Sequence, residues 1–98
     1  MTVDLHTLLA SVDDEASFIA FVEALHADFA AERELEATTS NSPYGPGALG
    51  WENGTVDAFL DAAASWGGAT LESGKGATLS SNPWHRCAHI LFAGKFYE

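Results

Sequence analysis

Two histidines, one cysteine and a short aromatic-acidic run are the residues of this 98-residue chain whose types and spacing could do chemistry. His85 and His89 lie four apart, so on one helix both imidazoles could reach a common metal ion. Two ligands do not make a site, and Cys87 between them would point about 200° from His85 and about 160° from His89 around the same helix. The pair therefore reads either as a metal-ligand pair or as an ordinary half-exposed helix flank. Cys87 carries no signature of a nucleophile and is expected to pack as a small hydrophobe. Ser73-Gly74-Lys75-Gly76 has the look of a phosphate loop, but the first glycine of that pattern falls on Ala69 and its Ser/Thr position on Gly76. Asn53-Gly54-Thr55 matches a glycosylation acceptor in form, with no secretory leader visible to give it meaning. No cofactor motif is present, and no catalytic residue can be named.

Tyr44, Trp51, Glu52 and Asn53 are the remaining candidates. They belong to a run, Ser42-Pro43-Tyr44-Gly45-Pro46-Gly47-Ala48-Leu49-Gly50-Trp51-Glu52-Asn53, in which prolines fix φ and glycines permit positive φ, so the connection should have a definite shape. Trp51 could plug the core and Asn53 satisfy free amides. Alternatively, Tyr44, Trp51 and Glu52 form a rigid aromatic-acidic patch suited to a partner presenting arginine. A buried Trp51 would assign the loop to folding; an exposed one would mark a partner site.

The elements that must position these residues follow from periodicity. Leu5, Leu8, Leu9 and Val12 recur at helical spacing after Thr2 or Asp4, which predicts a short first helix. Asp13 and Asp14 can cap a long helix from about Glu15 to Leu35, with Phe18, Val22, Leu25 and Phe29 as its core face between Ile19 and Phe21. Glu32 and Glu36 then rotate onto that face, so the last turns are expected to project past the core. A third helix should start at Thr55, bury Val56, Phe59, Leu60, Ala63 and Trp66, and stop at Gly67-Gly68. Asn82 and Pro83 open a final helix with Trp84, Cys87, Ala88 and Leu91 inward and Gly94 as its C′ residue. Residues 69–80, with Ala69-Thr70-Leu71 echoed by Ala77-Thr78-Leu79, could form a small hairpin or an irregular segment. The expectation is a mainly all-α, compact single domain over residues 1–98, of three or four helices; the alternative is α+β with a hairpin at about 69–80.

Charge narrows the function classes. Residues 1–66 hold twelve Asp/Glu against Arg33 alone, or −11, whereas residues 67–98 hold Glu72 and Glu98 against three cations, or +1. Such a surface repels phosphate backbones, which disfavours nucleic acid, and attracts basic protein surfaces; it also serves solubility. No window approaches the ~20 apolar residues of a membrane span. A single cysteine and no recognisable secretory leader point to a reducing cytoplasm.

The string Ser42 to Gly47, Gly50-Trp51-Glu52-Asn53, Phe59-Leu60, Trp66, Trp84, Ala88, Ile90-Leu91 and Ala93-Gly94-Lys95-Phe96-Tyr97-Glu98 resembles a family of small bacterial proteins that is a domain of unknown function. The likeness runs from about Phe18 to the end. It implies bacterial origin and no catalytic residues. The leading functional expectation is a small acidic cytoplasmic protein-interaction module, an inhibitor or immunity-type partner of a basic protein. The alternative is a small-molecule or metal-binding domain, catalytic or not, using His85 and His89 or a cleft beneath the loop. A homo-oligomer with its aromatics as the contact surface is a third.

Overall fold

The computed structural model describes residues 4–38, 50–74 and 81–97. Among them are four helices and no strand: α1 (Leu5–Ala10), α2 (Glu15–Thr38), α3 (Val56–Glu72) and α4 (Pro83–Gly94). The all-α expectation holds. Tyr44, the Gly/Pro residues 42–49 and residues 75–80, including the second arm of the hairpin alternative, lie outside the described residues.

Each helix starts where a side chain supplies its free amides. Asp4 accepts from the His6 N–H at 3.1 Å, and Thr55 accepts from Ala58 N–H at 3.3 Å. Asp14 accepts from Ser17 N–H at 2.8 Å, a contact that holds the Asp14 carboxyl below the usual carboxylate range. Asn82 does two jobs: its Oδ1 accepts from Trp84 and His85 N–H, and its Nδ2 donates to Asp13 O at 2.8 Å, which ties the start of α4 to the start of α2.

The central element is α4. α3 packs along one side of it and α1 and α2 along the other, while α2 and α3 do not pack along each other. The core lies between α4, α1 and α2, with Leu5, Leu9, Phe21, Leu25 and Ala88 buried and Phe21 closed off completely. On the opposite side, Gly94 lets α3 and α4 meet: a Cβ there would stand 2.9 Å from the Phe59 carbonyl and ring. Gly94 is thus a helical residue chosen for close approach and not the expected C′ residue; Lys95 is the C-cap.

Four further expectations are corrected. Gly67-Gly68 does not end α3, which runs on to Glu72 and makes Ala69-Thr70-Leu71 helical instead of strand. Tertiary contacts override the glycine penalty: Arg86 Nη2 donates to Gly67 O at 3.0 Å, and Gly67 faces Ile90 with room for one methyl group. The left-handed residue that follows the helix is Gly74, at φ +74°. Cys87 is exposed, because α4 is buried on two opposite sides and the cysteine falls between them. Val56 and Leu60, expected inside, are 77% and 56% exposed. Finally, α2 continues to Thr38, and Glu32 does not project past the core: it is 2% exposed.

Candidate functional site

Gly50 to Asn53 is the chemically dense segment of the described chain. Gly50 takes φ +86°, a turn only glycine makes without strain, and delivers Trp51 between α2 and α3. The indole is 7% exposed, edge-on to Phe29 at 4.8 Å and near-parallel to Phe59 at 6.0 Å between ring centroids. Its polar edge is also enclosed. Nε1 donates to Asp28 Oδ2 at 2.7 Å, and the Trp51 amide donates to Glu32 Oε1 at 3.1 Å. Glu32, one of the two carboxylates that break the apolar pattern of α2, and Asp28 one turn before it are therefore the receptors for a tryptophan from another part of the chain. A buried carboxylate is tolerated only when such donors replace its water.

Lys95 completes the arrangement. Its Nζ donates to the same Asp28 Oδ2 at 2.9 Å and lies 5.6 Å from the Trp51 ring centroid, combining an ion pair with a cation–π contact. The backbones interlock as well. Glu52 and Asn53 N–H both donate to Lys95 O, at 3.0 and 3.2 Å. Asn53 Nδ2 donates to Gly94 O and Tyr97 O, at 3.1 and 3.0 Å. These are carbonyls left open by the end of α4, so Asn53 acts as a capping side chain supplied from a distant segment. Glu52 alone among these residues points its side chain to solvent.

One face of this interlock is the floor of a groove. An apolar groove of about 410 Å³ runs between α2 and α3, walled by Val22, His26 and Phe29 on one side and Val56 and Leu60 on the other, with Trp51 and Leu91 below. It exists because α2 and α3 diverge around Trp51 instead of packing on one another. Trp51 and Asn53, two of the residues singled out from the sequence, line it; Glu52 is exposed beside it.

His85 and His89 do lie on one helix, with ring centroids 4.6 Å apart and the rings edge to face. His89 is also stacked on Trp66 at 6.1 Å, and the Arg86 guanidinium covers Trp66 from 5.2 Å. Burial holds the His89 pKa below its ordinary value, and the neighbouring His85 and Arg86 push it the same way. Among the described residues no group of three His, Cys, Asp or Glu could hold a metal ion.

The sequence reading missed Asp28, Glu32 and Lys95. A signal was present: Asp28 and Glu32 stand four apart beside the core stripe of α2, and carboxylates so placed can be buried when an indole or ammonium group elsewhere supplies the donors. Among the described residues no helix is long and apolar enough to cross a membrane.

Over residues 14–98 the chain matches the model of a family of unknown function (DUF7660), and it belongs to that family. The matched span contains the whole interlock and groove; α1 lies ahead of it. No curated protein and no solved structure matches the chain.

Proposed function

We propose that this member of the family is a small acidic protein-interaction module, an inhibitor or immunity-type partner that binds a basic protein in the cytoplasm. The observation that carries the reading is the open apolar groove between α2 and α3, set in the acidic part of the chain. Exposed apolar surface of this kind marks association sites in soluble proteins. The surrounding charge supports a basic partner: beyond Asp28 and Glu32, which are engaged within the fold, α2 holds four carboxylates and α3 three, against Arg33 alone.

Trp51 and Asn53 take part as the floor of the site and not as residues that reach out to a partner, since the indole N–H and the Asn53 amide are spent within the fold. Glu52 and the groove residue Leu60 are the side chains a partner would meet first.

The test is quantitative capture from the native host with wild type, Leu60→Asp and Glu52→Lys. Both substitutions fall on exposed positions, where the fold is expected to tolerate them. A basic protein retained by wild type and lost with Leu60→Asp supports the module; no specific partner, or a partner indifferent to both changes, removes it.

A further inference from the structure

The dimensions and chemistry of the groove define what can occupy it. Its α2 wall extends from Val22 to Phe29, seven steps along the helix or about 10.5 Å of axis at 1.5 Å per residue. An incoming helix spans the same length from position i to i+7, which carries three apolar anchors on one face. The volume, about 410 Å³, suits a few aliphatic side chains.

Three observations discriminate between occupants. First, the lining has almost no polar group left to orient a polar small molecule. Asn53 Nδ2 donates to the carbonyls of Gly94 and Tyr97 and Thr55 Oγ1 accepts from Ala58 N–H, which leaves the Asn53 side-chain oxygen and His26 among the polar side-chain groups of the lining. Small-molecule sites depend on a few convergent polar groups, and this one does not supply them.

Secondly, among the described residues the groove offers no strand edge. Its two long walls are the helices α2 and α3, and the amides of Trp51, Glu52 and Asn53 in the segment between them are donated to Glu32 and Lys95. An extended peptide lying here would bury unsatisfied N–H and C=O groups, whereas a helix arrives with its backbone already paired.

Thirdly, charge separates a second copy from a different protein. Asp57 and Asp61 each follow a groove residue, Val56 and Leu60, and lie exposed along the outer side of α3; Glu23 follows Val22 in the same way on α2. Two copies meeting through this face would oppose like charges, while a basic segment would neutralise them.

We infer that the groove between α2 and α3 is a receptor for an amphipathic helix of another protein, with about three apolar anchors entering between Val22 and Leu60 and Lys or Arg flanks attracted by the exposed carboxylates of Asp57, Asp61 and Glu23. This rests on the module reading given above and specifies its partner. The apolar anchors provide the affinity, and the charged rim provides rate and selectivity.

The test uses two synthetic peptides of about 18 residues, identical in Leu and Lys composition, one patterned for an amphipathic helix and one scrambled. Binding to the whole chain is followed by fluorescence polarisation of labelled peptide. The patterned peptide is expected to bind at least about tenfold more tightly than the scrambled one, to lose about tenfold with Leu60→Asp, and to weaken with added salt or with Asp57→Asn/Asp61→Asn. Equal binding of the two peptides overturns the helical occupant, as does affinity that ignores Leu60→Asp. Self-association in sedimentation experiments that Leu60→Asp abolishes overturns it in favour of a second copy. Neither peptide binding, while a basic host protein is captured through Leu60, overturns the helix inference and leaves the module; no capture and no peptide binding removes both.

Discussion

Asp28 and Lys95 stand 67 residues apart in the chain and 2.9 Å apart in the fold, and the oxygen that joins them, Asp28 Oδ2, also takes the indole hydrogen of Trp51 at 2.7 Å. One carboxylate oxygen therefore binds α2, the Gly50–Asn53 segment and the end of α4 to one another. Both charged side chains are mostly enclosed, so the pair is worth more than a surface ion pair and its loss leaves a desolvated charge.

Lys95→Met should destabilise the protein by about 2–3 kcal/mol, and Asp28→Asn by about 1–3 kcal/mol. In the double variant the losses should fall short of the sum by at least about 0.5 kcal/mol, measured by urea unfolding. Strict additivity would show that the two side chains are not energetically coupled.

Trp51 separates ring packing from the hydrogen bond. Trp51→Phe keeps an aromatic group between Phe29 and Phe59 but removes the donor to Asp28, at a cost of about 1–2 kcal/mol. Trp51→Ala also opens a cavity and should cost about 3–5 kcal/mol. Equal unfolding midpoints for the two variants would mean that the ring itself contributes nothing.

Two glycines predict opposite signs. Gly94→Ala places a methyl group 2.9 Å from backbone and ring atoms of Phe59 and should cost about 1–3 kcal/mol as α3 and α4 are forced apart. Gly68→Ala, inside α3 with open space around it, should stabilise by about 0.5–1 kcal/mol. Thermal unfolding of the two variants reads both signs directly.

The pH dependence has a definite sign at His89. Its pKa in the folded state lies below the ordinary 6.5, mainly because burial disfavours the imidazolium and also because His85 and Arg86 repel it. The unfolded chain thus binds the proton more readily. The stability associated with neutral His89 is complete above pH 6.5 and declines as pH falls through 6.5 toward the folded-state value. His89→Gln should flatten the stability profile between about pH 7 and pH 5 relative to wild type. Parallel profiles for the two proteins would contradict this origin.

The helix starts at Asp4, Asp14, Thr55 and Asn82 were legible because a cap is a local event: the acceptor and the amides it satisfies lie within three residues of one another. The all-α class followed from the same periodicity. The end of α3 was misread because glycine propensity is a small local penalty, and Ile90 and Arg86 lie across an interface that no window of α3 contains. The Gly50–Asn53 run announced itself as a shaped segment, yet its receptors could not be read from it, since Asp28, Glu32 and Lys95 belong to other elements and nothing local to the run says which charges lie opposite it.

By itself, then, the sequence determined the helices, their caps and the acidity of the first two thirds of the chain, all properties of residues a few positions apart. Only the tertiary structure decided that two α2 carboxylates and one lysine would close around Trp51, and that Val56 and Leu60 would remain open along a groove. The reason is physical: whether a charge is buried or an apolar residue exposed depends on what lies opposite it, and that is set by how α2 and α3 diverge across α4.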